Sequence, residues 1–176
     1  MKTKTRSLVL MAFFAALVAV CSQIIIPLPY VPINLALFAV YLAGSLLGAK
    51  YGGISMLIFL ALGFVGAPVF AGMQGGVGIL FGKTGGYIIG YVFCAVLVGF
   101  LCKKKENSFW FLCLAFVAGL FVCYVFGTAW FMVVTKMDLI KSLTFCVFPF
   151  LPGDVVKILL AAFLTLKLKP KLNLAN

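Results

Sequence analysis

The sequence predicts an all-α integral membrane protein: a single membrane domain over 1–176, with six transmembrane helices and both termini cytoplasmic. Three observations carry that expectation. Hydrophobic residues make up 65 % of the 176 positions and the mean hydropathy is +1.27, a composition suited to lipid rather than water. Apolar runs of about the length needed to cross the hydrocarbon recur six times, with short breaks between them. Most basic residues fall on alternate breaks, which is the pattern of the positive-inside rule.

The first run, 7–26, follows Lys2, Lys4 and Arg6 and contains two small-residue registers, Ala12 with Ala16 and Ala15 with Ala19. Small residues four apart let a second helix approach closely. A cleaved leader is not expected here, because five further spans follow and Val20 stands where a lipoprotein box ending at Cys21 needs a small residue. Pro27, Pro29 and Pro32 stiffen the next connection, where Tyr30 and Asn34 offer an aromatic face and an amide to a lid or a plain connector. The second run, 33–49, breaks at Lys50-Tyr-Gly-Gly53, and the third, 53–69, leads into the glycine-rich stretch 72–83. The fourth, 84–102, ends on Lys103, Lys104, Lys105 and Glu106; the fifth is 109–134 and the sixth 151–168.

Six alternating crossings put Lys2, Lys4, Arg6, Lys50, Lys103, Lys104, Lys105, Lys167, Lys169 and Lys171 on one face, which is ten of the fourteen basic residues. That face is read as cytoplasmic. Of the other four, Lys136 and Lys141 flank Asp138 in what reads as a solvated loop over 135–149. Lys83 and Lys157 adjoin glycine- or proline-rich breaks at span entrances, where a pocket would use them.

The parts for catalysis are missing. There is no histidine, the only carboxylates are Glu106, Asp138 and Asp154, and six scattered cysteines include no Cys-x-x-Cys, so neither a metal centre nor a dithiol redox site is expected. Gly82-Lys83-Thr84 resembles the end of a phosphate loop, but Val77 stands where that loop needs glycine. No cofactor is therefore expected on this chain, and any ATP that energises transport would bind partner subunits.

Asp154 and Lys157 are the strongest site candidates. Ionisable groups within a membrane segment are costly and mark function by default, and their i, i+3 spacing puts both on one helix face. A salt bridge that only locks helices is the plainer alternative. The stretch 68–87 has seven glycines in twenty positions, and irregular backbone at membrane depth is tolerated where it lines a cavity. Gln74 and Thr84 there offer neutral hydrogen bonds and Lys83 a cation. On the fifth span Tyr124, Thr128 and Phe131 recur at helical spacing beside Gly127, although Tyr and Trp also favour membrane interfaces.

Taken in order, Pro68-Val-Phe-Ala-Gly72, Gly75-Gly76, Gly82-Lys-Thr-Gly-Gly-Tyr87, Gly127-Thr-Ala-Trp-Phe131 and Pro149-Phe-Leu-Pro-Gly-Asp-Val-Val-Lys157 resemble the BioY family. These are biotin-binding S components of energy-coupling factor (ECF) transporters. The resemblance covers essentially the whole chain. It implies an S-component bundle that captures biotin from outside, beneath the first and third outer loops. It also implies a transmembrane coupling subunit, met by Ala12, Ala16 and Ala19, and two ATPase subunits. Asp154 and Lys157 match the family's polar ligand contacts, with Lys83, Gln74, Asn34, Tyr87, Tyr124, Thr128 and Tyr30 as further candidates. In the expected division of labour, Asp154 accepts from the ureido group while Lys157 or Lys83 meets the carboxylate, the alternative being that Lys157 instead holds Asp154 in its ionised form. Two departures stand out: Pro32-Ile-Asn-Leu-Ala36 replaces the family's common Pro-Ile-Thr-Leu-Gln, and Lys83 precedes Thr-Gly-Gly where Pro or Arg is common. The competing readings are a stand-alone proton-coupled carrier, a membrane-embedded enzyme and a packing subunit.

Overall fold

A computed structural model of the chain describes residues 2–28, 30–103 and 108–172, and the side chains of 2–4 and 171–172 lie outside that description. Of the expected cytoplasmic cluster, Lys104 and Lys105 therefore fall outside the described residues, as do the side chains of Lys2, Lys4 and Lys171; Glu106 and Pro29 fall outside them too. The elements run α1 (Lys2–Gln23), β1 (Ile25–Ile26), β2 (Ile33–Asn34), α2 (Ala36–Phe64), α3 (Val77–Leu80), α4 (Gly85–Cys102), α5 (Phe109–Thr135), α6 (Leu139–Cys146) and α7 (Leu151–Leu172). Among the described residues four helices are long and apolar enough to cross a membrane, and α6 with α7, bent at 54°, counts as a fifth.

The sequence expected six crossings, and the difference lies in α2. A straight helix of its 29 residues would run about 43 Å, well beyond a hydrocarbon core of roughly 30 Å. It does not run straight, because Gly48 has φ 78° and ψ 175° inside it. Beyond that break the chain folds back: a Cβ on Gly52 would stand 3.0 Å from the Ala43 carbonyl oxygen and 3.0 Å from the Gly44 Cα. The break expected at 50–53 is thus at Gly48, the position with the left-handed φ, while Gly52 and Gly53 are helical and serve close packing.

Other boundaries also move. The expected first and second spans lose residues 24–26 and 33–34 to a short antiparallel pair, Ile25 opposite Asn34 and Ile26 opposite Ile33. The third ends at Phe64 rather than 69, because Gly66 at φ 99° turns the chain out of the helix. The stretch 135–149, expected as a solvated loop, contains α6.

The core lies among α1, α2, α4 and α5, with α7 packed across α2 and α5. Tyr41 of α2 stacks on Phe116 of α5 at 4.9 Å. Glycine brings α4 close to its neighbours: a side chain on Gly99 would strike the backbone of Ala49, and one on Gly90 would meet Cys123. Large apolar side chains such as Phe13, Val65, Trp110 and Phe121 point outward, as they must on a surface that faces lipid.

Two hydrogen bonds fix the ends of the bundle. Ser55 donates to the Met11 carbonyl at 2.8 Å, and the Ser45 and Thr165 hydroxyls meet at 2.9 Å. The early part of α1 and the late part of α7 therefore lie at the end that holds the Gly48 turn. The opposite end carries the close of α1, the starts of α4 and α7, and the loops 24–35 and 65–84.

Candidate ligand-binding site

That opposite end holds a partly open cavity of about 330 Å³. Its polar floor begins in the first turn of α7, where the Asp154 N–H bonds the Phe150 carbonyl at 2.9 Å. A carboxylate in the first turn of a helix is favoured by the N-terminal dipole. Asp154 is 2 % exposed and Lys157 6 %, and the Lys157 ammonium donates to Asp154 Oδ1 at 2.8 Å. The Tyr124 hydroxyl, from α5, donates to the other carboxylate oxygen. The buried charge is thus paired and hydrogen-bonded, the condition under which burial is tolerable. A carboxylate has about four lone-pair sites and an ammonium three donors, so both groups keep capacity for a ligand.

The walls come from several elements. Asn34, at the end of β2, spends Oδ1 on the Ala36 N–H that opens α2, at 3.1 Å, and its NH₂ faces the cavity, where it also meets the Tyr91 hydroxyl. Tyr30 packs against Phe145 at 4.7 Å and Phe131 at 6.1 Å. Gln74 pairs with Phe70 through two backbone hydrogen bonds, at 2.9 and 3.3 Å. Tyr87 lies flat on α5 because residue 127 is glycine; a side chain there would strike the phenol ring. Its hydroxyl is 3.4 Å from both the Thr128 hydroxyl and the Cys146 carbonyl.

Of the residues expected from the sequence, Asp154, Lys157, Gln74, Asn34, Tyr87, Tyr124 and Tyr30 all line this cavity, and Thr84 does too. Two do not. Lys83 sits with its ammonium 5.3 Å from the centre of the Tyr30 ring, a cation–π contact at the rim. Thr128 stands behind Tyr87 and reaches the cavity only through that phenol.

Sequence reasoning missed Tyr91, Ser22, Phe59, Phe70 and Cys123. Tyr91 is one turn beyond Tyr87, so an i, i+4 pairing on α4 was the available signal. Nothing in the sequence marks Ser22 or Cys123. On α1, Ala12 and Ala16 are exposed, Ala19 is half-buried and Ala15 is buried; the four share one helix face, whose outward edge runs through Ala12 and Ala16 with Ala19 at its margin, while Ala15 turns into the core.

A family model described as the BioY family matches residues 1–174. The "Biotin transporter BioY" of Thermotoga maritima is 38 % identical over 164 residues, covering 93 % of this chain and 96 % of that protein. The "Probable biotin transporter BioY" of Pyrococcus horikoshii is 38 % identical over 169 residues, covering 96 % and 98 %. A crystal structure at 2.1 Å of the S-component for biotin from an ECF-type ABC transporter aligns with a TM-score of 0.88 at 33 % identity, over 96 % of this chain and 93 % of that one. These relatives are named as transporters rather than enzymes, which agrees with a multi-pass membrane fold. The chain belongs to the BioY family.

Proposed function

We propose that this chain captures biotin from outside the cell membrane and delivers it inward as the substrate-binding subunit of an ECF-type ABC transporter. The observation that carries the reading is the buried Asp154–Lys157 pair lining a partly open cavity in a chain of this family. Biotin has an apolar thioether ring, a ureido group with two N–H donors and a carbonyl, and a carboxylate at the end of a short chain. About 330 Å³ lies at the small end of ligand pockets, about 300–1,000 Å³, as suits one compact vitamin.

The 2.8 Å contact supports the alternative in which Lys157 pairs with Asp154 rather than with the ligand carboxylate. A carboxylate and an ammonium that touch each other address one pole of a ligand, not two. Side by side they complement a ureido N–H next to its carbonyl, with Asp154 accepting and Lys157 donating. The biotin carboxylate then turns toward the rim, where the Asn34 NH₂ and Gln74 amide supply donors and Lys83 a cation. Tyr30, Tyr87 and Tyr124 close round the apolar ring, and Thr128 acts through Tyr87.

The fold-back at Gly48 supports counting α2 as two crossings, and with α6–α7 as one the total is six. Both termini then share the end that carries Lys50 and Lys103, which the positive-inside rule makes cytoplasmic, so the cavity opens outward. The exposed Ala12 and Ala16 stripe of α1 is the surface for a transmembrane coupling subunit, and two ATPase subunits beyond it bind ATP. No cofactor is needed on this chain.

Titration of detergent-purified protein with labelled biotin, alongside native mass spectrometry for a co-purified ligand of biotin's mass, tests the reading. Losing one partner of a buried charged contact costs roughly 2–5 kcal/mol, so Asp154→Asn should weaken binding by at least tenfold, whereas Lys141→Ala, on the exposed face of α6, should leave it unchanged. Wild-type affinity in Asp154→Asn would refute the assignment.

A further inference from the structure

The loop 65–76 forms one wall of the cavity, contributing Phe70, Ala71, Gly72 and Gln74. Part of its shape is held from within. Phe70 inserts over Gly63, where no side chain would fit, and meets Phe59 edge-on at 5.5 Å. The Gly76 N–H bonds the Gly63 carbonyl at 2.6 Å.

The turn at its tip is different. Gly72 has φ 73° and Met73 φ 57°, and a left-handed conformation is uncommon for a residue with a side chain. Two such residues in succession point the Met73 N–H away from the loop's own carbonyls. The group that receives it comes from α1: Gln23 Oε1 accepts the Met73 N–H at 2.8 Å. Nε2 of the same carboxamide lies 3.2 Å from the Val69 carbonyl and 3.1 Å from the Phe70 carbonyl, and also 3.0 Å from the Ala19 carbonyl and 3.0 Å from the Ser22 hydroxyl of its own helix, so its two N–H groups are shared between the loop and α1. The Ser22 hydroxyl, next to it, is likewise shared, 2.5 Å from the Val69 carbonyl and 2.7 Å from the Ala19 carbonyl. Gln23 is not among the cavity-lining residues.

We infer that Gln23 is a positioning residue for ligand retention, a carboxamide at the end of α1 that holds the tip of loop 65–76 against the cavity by accepting from the Met73 N–H while its amide hydrogens bridge α1 to the Val69 and Phe70 carbonyls. Among uncharged side chains a primary amide alone presents a full acceptor and two donors in one plane, which is what this turn requires. Alanine removes every one of these contacts, and glutamate keeps the acceptor for Met73 but sets an oxygen against the Ala19, Val69 and Phe70 carbonyls.

The retention part rests on the biotin reading, so the test pairs a measurement that needs no ligand with one that does. In ligand-free protein, amide hydrogen exchange across residues 69–74 should accelerate in Gln23→Ala and, to a smaller degree, in Ser22→Ala. With biotin, the dissociation rate of Gln23→Ala should rise by about tenfold, the scale of a lost hydrogen-bond cluster, while the association rate changes little. A merely structural role would lower the unfolding temperature without separating the two rates. Gln23→Glu should keep slow exchange at Met73 and still release biotin faster than wild type, and it provides the readout if the alanine variant does not accumulate. Unchanged exchange, or faster exchange with unchanged release, would overturn the inference. Failure of the wild-type protein to bind biotin would overturn the functional reading, while the exchange experiment would still decide whether Gln23 holds the loop.

Discussion

Residue 127 has no side chain, and the Tyr87 ring occupies the space one would need. Because Tyr87 also faces the cavity, a methyl group at 127 can be accommodated only by moving the ring toward the ligand. Overpacking of this kind costs about 1–3 kcal/mol, so Gly127→Ala should weaken biotin binding by roughly tenfold or more. Thr128→Val, which removes only a hydroxyl 3.4 Å from the phenol, should cost less. Calorimetric titration of the two variants gives the comparison, and equal affinities would mean that Tyr87 is not a wall of the ligand site. At this scale Asp154 and Lys157 were legible because charge within a membrane segment needs a reason. Lys83 was not separable from Lys157, since both adjoin breaks and only the fold shows that one pairs with Asp154 while the other rests on Tyr30. Gln23 carried no signal: its contacts are to backbone atoms up to 50 residues away, and a glutamine after an apolar run looks like any helix end.

Long elements were legible and short ones were not. The runs that became α4 and α5 end within a residue of their expected limits, because apolar length is what a bilayer selects. β1 and β2 are two residues each, too short to show alternation. α6 was hidden for a different reason: the side chains it buries most deeply are Ser142 and Cys146, while Leu139 and Ile140 are exposed, so its pattern is inverted relative to a soluble amphipathic helix. The turn in α2 was expected at a glycine pair, yet it uses the single Gly48. Its positive φ of 78° with ψ 175° lies in a region essentially confined to glycine, and a built Cβ has nothing within 4 Å, so Gly48→Ala meets no clash and registers only backbone strain, about 1–3 kcal/mol. A lower unfolding midpoint in detergent with biotin affinity preserved is the expected result. An unchanged midpoint would show that the fold-back does not depend on that dihedral.

The arrangement of the whole molecule separates two tasks by face. The ligand cavity lies at one end of the bundle, bounded by α7, α5, α4 and the two loops, while the exposed alanines lie on the outer side of α1, near the middle of that helix. Ala12 and Ala16 are open to the surroundings, whereas Ala15, on the same helix, is 1 % exposed. An outward small-residue stripe contributes nothing to the chain's own packing, and lipid accepts leucine as readily as alanine. Its use is to let another helix approach closely, which fits a coupling subunit docked on α1. The double variant Ala12→Leu/Ala16→Leu should therefore fold and bind biotin as the wild type does, yet co-purify with the coupling subunit much more weakly. Ala15→Leu is the contrasting change: it forces three extra carbons into a filled core, for about 1–3 kcal/mol, and should lower stability wherever the partner is. Undiminished recovery of the complex with the leucine pair in place would mean that the partner docks on another face, and the link from α1 through Gln23 to the cavity wall would then be internal to this chain alone.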